Sequence, residues 1–248
     1  MCVSIDLAAN RLLDSLSPGA WQRLLPSFER VELKPGQVLH ESGSPMPHVY
    51  FPLTATVSLL YETANGASVE LAMVGNDGVV GIELFLGGSS VPHRAVVCTE
   101  GRGYRVPAPA VRQEFERAGS TMHLMLLYAS AMINQIAQTA VCNRHHSLKQ
   151  RLCRWLLSIL DRLEGTELTV THERIAHILG VRREGVTEAA RELQRDGVID
   201  CLRGRILVLD RPGLEQRSCE CYAVVRNEYE RLLPARRHAW PRPSPSGL

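Results

Sequence analysis

The chain has 248 residues, enough for one large domain or two modest ones, and its 45% hydrophobic content with mixed charge fits an ordered, soluble protein. It has no run of 18 apolar residues to span a membrane, and Met1 to Asn10 lacks the basic and apolar segments of a signal peptide, so a cytoplasmic protein without a membrane partner is expected. The net charge of +2 hides a split. Residues 1–144 carry 10 Lys+Arg against 12 Asp+Glu, net −2; residues 145–248 carry 18 against 14, net +4, and 17 of those 18 are Arg. Arginine offers a planar fork to phosphates and bases, which points to an anionic partner for the second half.

In chain order, the first half reads as short strands: Phe28–Leu33, Gln37–His40, His48–Phe51, Ala55–Tyr61, Ser68–Val74, Ala95–Thr99 and Gly103–Val106. Turn residues punctuate them at Lys34-Pro35-Gly36, Asn65-Gly66 and Asn76-Asp77-Gly78. Asn65-Gly66 can supply the positive φ angles of a hairpin turn. Many short strands with regular turns predict a β-barrel or β-roll with flanking helices over 1–119. A short helix is expected from Ala108 to Gly119. The next 27 residues contain no Gly or Pro and predict one long helix over 120–146, capped by Ser120 or Thr121. Its apolar residues leave no clear polar face, so it needs two partners. It is therefore expected to cover the β-roll and pair with its own two-fold copy through Met125, Tyr128, Met132 and Ile136.

An amphipathic helix follows from Ser147 to Arg162, with Leu148, Leu152, Trp155, Leu156 and Ile159 on one face. "LTVTHERIAHILGVRREGVTEAARELQRDGVI" then holds two short helical patterns divided by Gly180. Taken as a helix-turn-helix, Ile175 and Leu179 point inward, Ala176 is small where the second helix crosses, and Gly180 makes the turn. Val181, Val186 and Ala189 complete the core, and Thr171 is a good N-cap. "GVIDCLRGRILVL" is a hairpin tipped by Leu202-Arg203-Gly204-Arg205 and makes the module a winged helix. Short helices at Pro212–Arg217 and Tyr222–Leu233 complete a unit over 147–233; the Pro- and Ser-rich 234–248 is expected to be a disordered tail.

In such a module the second helix lies in the major groove with its first turn nearest the bases. Arg182 and Arg183 can fork onto guanine or grip phosphate, and Glu184 can accept from cytosine. Thr171, Thr187, Glu188 and Arg191 share that surface, and Arg203 and Arg205 on the wing would reach phosphate or the minor groove.

The segments "LKPGQVLHESGSPMPHVYFPLTATVSLL", "VGNDGVVGIELFLGGSSVPHRAVV" and the helix-turn-helix stretch resemble the Crp–Fnr family of bacterial transcription regulators. The resemblance covers roughly residues 20–225. It implies an α+β chain with an N-terminal cyclic-nucleotide-binding-like β-roll, a long dimerisation helix and a C-terminal winged helix. It also implies a homodimer on double-stranded DNA with a two-fold site, a signal sensed at the roll, and RNA polymerase as a further partner. In the family's cyclic-nucleotide binders a Gly-Glu pair precedes Arg-Ser-Ala; here the effector pocket would be Gly81, Glu83, His93, Arg94 and Ala95. Glu83 stands one place late, and His93 stands in the Arg place, so cyclic AMP is not expected as effector and the cofactor is unknown. The family's third base-reading Arg is replaced by Glu188, which implies a different half-site.

No nucleophile–base motif, phosphate loop or metal cluster appears, so no catalytic residue is assigned and an enzyme on a β-barrel is not favoured. A cyclic-nucleotide-binding regulatory protein without DNA contact is the alternative, and the Arg-rich helix start and wing speak against it. The seven cysteines, Cys2, Cys98, Cys142, Cys153, Cys201, Cys219 and Cys221, are scattered and read as reduced thiols. No iron–sulfur or haem ligand set is evident, since only Cys2 lies in the N-terminal segment. Cys219-x-Cys221 lacks partners at zinc-like spacing and is taken as core packing; His123, His145 and His146 are not expected to ligate metal.

Overall fold

Alternating apolar residues build seven antiparallel strands in the first half of the computed structural model, which describes residues 9–88 and 90–233. They are β1 (Glu29–Leu33), β2 (Val38–His40), β3 (His48–Pro52), β4 (Thr56–Glu62), β5 (Ser68–Val74), β6 (Arg94–Thr99) and β7 (Gly101–Pro107). Each lies within a residue or two of its expected place. One sheet has the order β1-β7-β3 and the other β2-β6-β4-β5. Their inward residues, among them Leu33, Val49, Phe51, Val57, Ala95, Val97 and Val106, form one buried core. Gly66, at φ +82°, turns the β4–β5 hairpin, but Asn65 does not share the positive φ expected of it; Thr63 N–H closes the turn on the Ala67 carbonyl at 2.8 Å.

Two helices precede the strands and were not read from the sequence: α1 (Arg11–Asp14) and α2 (Pro18–Leu24). Asn10 caps α1 by accepting from the Leu12 and Leu13 amides. It also donates to the Pro52 and Gly78 carbonyls, both at 2.9 Å, which ties α1 to the roll.

Beyond the roll come α3 (Ala108–Glu116) and the long α4 (Ser120–His145). The cap of α4 corrects the sequence reading. Gly119 is its N-cap with no side-chain bond, because Thr121 is buried and spends its hydroxyl on Glu114. By length and composition α4 could cross a bilayer, yet it is a core helix here. Its Gln135 donates to the Met73 carbonyl at 3.2 Å and accepts from Tyr229 at 2.7 Å, polar ties that belong to a protein interior.

The faces of α4 also correct the expected dimer surface. Met125 (2% exposed), Tyr128 (0%) and Met132 (3%) belong to the roll's core, so they are spent within the chain; only Ile136 of the expected four reaches the surface. Leu126, Ile133, Ile136 and Val141 form the exposed apolar positions instead, with Ile133 at 62%.

The remaining elements are α5 (Leu148–Leu160), β8 (Glu167–Thr169), α6 (His172–Leu179), α7 (Arg183–Arg195), β9 (Ile199–Leu202), β10 (Arg205–Val208), α8 (Arg211–Arg217) and α9 (Cys221–Leu232). Ser147 and Gln150 form a capping box at α5, as their spacing allows. α9 lies along α4, with Tyr128 and Tyr229 packed edge to face, and Asn134 bonded to Glu228 at 2.9 Å. The stretch 234–248, expected to be disordered, lies outside the described residues.

Candidate nucleic-acid interface

Why α6 and α7 meet at a fixed angle follows from their buried residues. Ile175, Ile178 and Leu179 of α6 face Val186, Ala189, Ala190 and Leu193 of α7 over the α5 residues Leu152, Trp155 and Leu156. Ala176, 5% exposed, is the small residue at the crossing. Gly180 takes φ +64°, ψ +42°, a left-handed conformation that ends α6; its amide and that of Val181 both bond the Ala176 carbonyl. A side chain there would also press on the Ser68 carbonyl of β5, 3.1 Å away. Thr171 caps α6 through the Arg174 amide, as expected.

The turn leaves the first residues of α7 in solvent. Arg182 is the N-cap with extended backbone, and no side-chain capping bond consumes it. Arg182, Arg183, Glu184, Glu188 and Arg191 are exposed on the face of α7 opposite its buried side. Among the described residues Arg182, Arg183, Arg191 and Arg203 form no ion pair within the chain. Thr187 is less free: its hydroxyl donates to the Arg183 carbonyl at 3.0 Å and meets His172 Nδ1 at 3.1 Å. Burial, with Arg183 and Arg191 nearby, holds the His172 imidazole below its ordinary range, which favours its neutral form.

The wing completes one side of this surface. β8, β10 and β9 form a three-stranded antiparallel sheet whose tip is Arg203-Gly204. A cleft lined by Thr171, Arg183, Arg203 and Arg205 separates the wing from the start of α7. Arg205 is paired to Glu167 of β8 at 3.1 Å, so its charge is partly answered at home. Six of the nine sequence-assigned contact residues are therefore exposed charges with no ion pair within the chain among the described residues: Arg182, Arg183, Glu184, Glu188, Arg191 and Arg203.

The five residues assigned to an effector pocket do not share one. Glu83 Oε1 lies 3.6 Å from His93 Nε2, and His93 stacks edge-on against His40. Burial pushes His40 down to about 4 and His93 below its ordinary value. Ala95 points into the roll's core, and Gly81, at φ +97°, starts the turn of 3-10 helix Ile82–Leu86. Arg94, one residue before Ala95, must then face the other way. Its guanidinium bonds Glu62 at 2.7 Å and Glu41 at 3.1 Å, and lines a cleft with Thr171, Arg174 and His177 of the winged helix. The grouping of Arg94 with Glu83 and His93 is thus corrected by strand alternation.

The sequence reading also missed how α6 meets the roll. Ser68 Oγ donates to the His177 carbonyl at 2.8 Å, and Arg174 donates to the Val97 carbonyl. No local pattern marks such long-range bonds.

A β-roll, a long helix and an arginine-edged winged helix define a DNA-binding regulator. The comparisons agree: a model of the cyclic nucleotide-binding domain matches residues 30–118, and one of the Crp-like helix-turn-helix domain matches residues 150–217. The chain belongs to the Crp–Fnr family of transcription regulators. It is 25% identical over 212 residues to the global nitrogen regulator of Synechococcus elongatus, covering 82% of this chain and 93% of that one. It is 28% identical over 132 residues to transcriptional regulator LdrP of Thermus thermophilus, covering 48% and 68%. In fold it is similar to FixK2 from Bradyrhizobium japonicum, with TM-score 0.65 at 16% identity over 77% of this chain and 98% of that one. A CRP-family transcriptional regulator from Thermus thermophilus gives TM-score 0.63 at 20% identity, covering 77% and 96%.

Proposed function

We infer that this regulator reads a two-fold duplex site as a cytoplasmic homodimer, by binding rather than catalysis, and acts with RNA polymerase. In this reading 1–119 receives a signal, 120–146 holds the dimer together, and 147–233 contacts DNA. The observation that carries it is the set of unpaired guanidinium groups at the exposed start of α7 and on the wing: Arg183 and Arg203 line one cleft, and Arg182 is the N-cap of α7. Unpaired arginines on a protruding helix start suit phosphate and guanine better than solvent alone. Glu184 accepts from cytosine, and Glu188 shifts the half-site away from the one its relatives' Arg would select.

Selection from a random duplex library separates these roles. Arg183→Ala should cost ~1–3 kcal/mol on the selected site and relax one base pair. Arg203→Ala should weaken all duplexes alike and lower the salt slope by about one unit. Should Arg183→Ala leave affinity and motif untouched, α7 is not the reading element. A wild-type chain that retains no duplex at low salt would leave a regulatory protein without DNA contact.

A further inference from the structure

Cys98 of β6 and Cys153 of α5 sit among leucines and valines of the core shared by the roll and the winged helix, where a reduced thiol is an ordinary small apolar group. Three other cysteines do not. Cys142, Cys219 and Cys221 form a buried cluster apart from both main cores, composed of themselves alone. His146 joins them: the ligand atoms of Cys142, His146, Cys219 and Cys221 all lie within 4.8 Å of one another. Two local patterns bring them together. Cys142 and His146 are four residues apart and face one way at the end of α4. Cys219-x-Cys221 forms the start of α9, just beyond α8.

The spacings can be compared with a tetrahedral zinc site. Zinc–sulfur and zinc–nitrogen bonds of about 2.3 and 2.05 Å give tetrahedral edges of roughly 3.75 Å between sulfurs and roughly 3.55 Å between sulfur and nitrogen. Cys142 Sγ and Cys219 Sγ are 3.6 Å apart, and Cys221 Sγ is 3.4 Å from His146 Nδ1. A disulfide needs its sulfurs at about 2.05 Å, and one between Cys142 and Cys219 would leave Cys221 and His146 unexplained.

The surrounding groups fit as well. His146 Nε2, on the far side of the ring from Cys221, lies 3.2 Å from Glu220 Oε1, which fixes the tautomer with Nδ1 free to donate its lone pair. Gln138 Nε2 donates to Cys221 Sγ at 3.0 Å, an arrangement that supports a thiolate. Three thiolates and a divalent cation leave a net charge of −1, and Arg154 of α5 lies near Cys142 to answer it.

We propose that Cys142, His146, Cys219 and Cys221 form a closed, four-coordinate structural site for a zinc ion. Binding takes the proton from each of the three thiols and none from His146. The site clips the end of the long helix α4 to the α8–α9 connection, and so sets where the winged helix stands relative to α4.

The test uses untagged full-length protein purified under reducing conditions. Elemental analysis should find about one zinc per chain, and titration with cobalt(II) should give thiolate-to-cobalt charge transfer with the intense visible bands of a tetrahedral site. The double variant C219S/C221S should lose both. E220Q should keep the full cobalt spectrum at saturation but weaken metal affinity about 10–100-fold. Because C219S/C221S could fail to fold, the wild-type spectrum decides by itself. Wild type without zinc and without cobalt–thiolate absorption overturns the proposal, as does a Cys142–Cys219 disulfide in peptide maps of the purified protein, or metal retained by folded C219S/C221S.

Discussion

Glu70, on β5, has a buried carboxyl group between the roll and α5, with Oε2 unpaired. Burial pushes it from 4.5 up to about 7, and the pull of Ser58, Arg154 and Arg162 only partly opposes that. The folded chain therefore binds more protons than the unfolded one between about pH 4.5 and 7, so Glu70 lowers stability progressively as pH rises through that window. Above it the penalty is constant, on the order of a few kcal/mol. Glu70→Gln should raise Tm at about pH 8 and leave it nearly unchanged at about pH 4.5, so the gap between variant and wild type widens with pH. Thermal melts showing a gap that is constant or narrows on going alkaline would remove Glu70 from this role.

α4 shows how far an element can be read without its neighbours. Its length, its place and the strands before it follow from turn residues and alternation, because those patterns are local. Which side of α4 faces outward does not, because apolar residues surround it. The roll takes Met125, Tyr128 and Met132, and α9 takes part of another side through Tyr229 and Glu228. What remains is Leu126, Ile133, Ile136 and Val141, with the small Ala137 and Ala140 exposed among them. The site around Cys142 was illegible for the same reason: its halves lie 77 residues apart and meet only in the fold. The arginines of α7 were legible because a helix-turn-helix fixes its residue types at short spacing. If the exposed stripe is the dimer face, Ile133→Glu should give folded monomers that bind DNA poorly. Met132→Glu should instead destabilise the fold, since it buries a charge in the roll's core. Sedimentation showing Ile133→Glu still dimeric would place the interface elsewhere.

At the scale of the whole molecule, the two halves are joined by an ion pair that neither could satisfy alone. Arg162, just beyond α5, reaches the turn Asn76-Asp77-Gly78 of the roll. Its Nε and Nη2 bond the two Asp77 oxygens at 3.0 and 2.7 Å, while Nη1 donates to the Ser158 carbonyl at 2.8 Å. Arg162 is buried, and its guanidinium also lies 5.8 Å from the centre of the Tyr229 ring. A forked pair held in low dielectric is costly to break from one side, because the surviving charge stays where water cannot reach it. Arg162→Ala and Asp77→Ala should each cost ~3–5 kcal/mol, and the double variant should cost clearly less than their sum. The roll and the winged helix also share the Ser68–His177 and Arg174–Val97 bonds, so they should unfold together in the wild type. Trp21 reports on the roll and Trp155 on the winged helix, the one packed against Phe28 and the other buried beside Leu152 and Leu156. In wild type, urea unfolding followed by single-tryptophan variants should give coincident curves. In Arg162→Ala the Trp155 transition should move to lower urea, ahead of Trp21, as the winged helix loses its hold on the roll. Coincident curves in the variant, with additive single and double effects, would show that this pair does not couple the two halves.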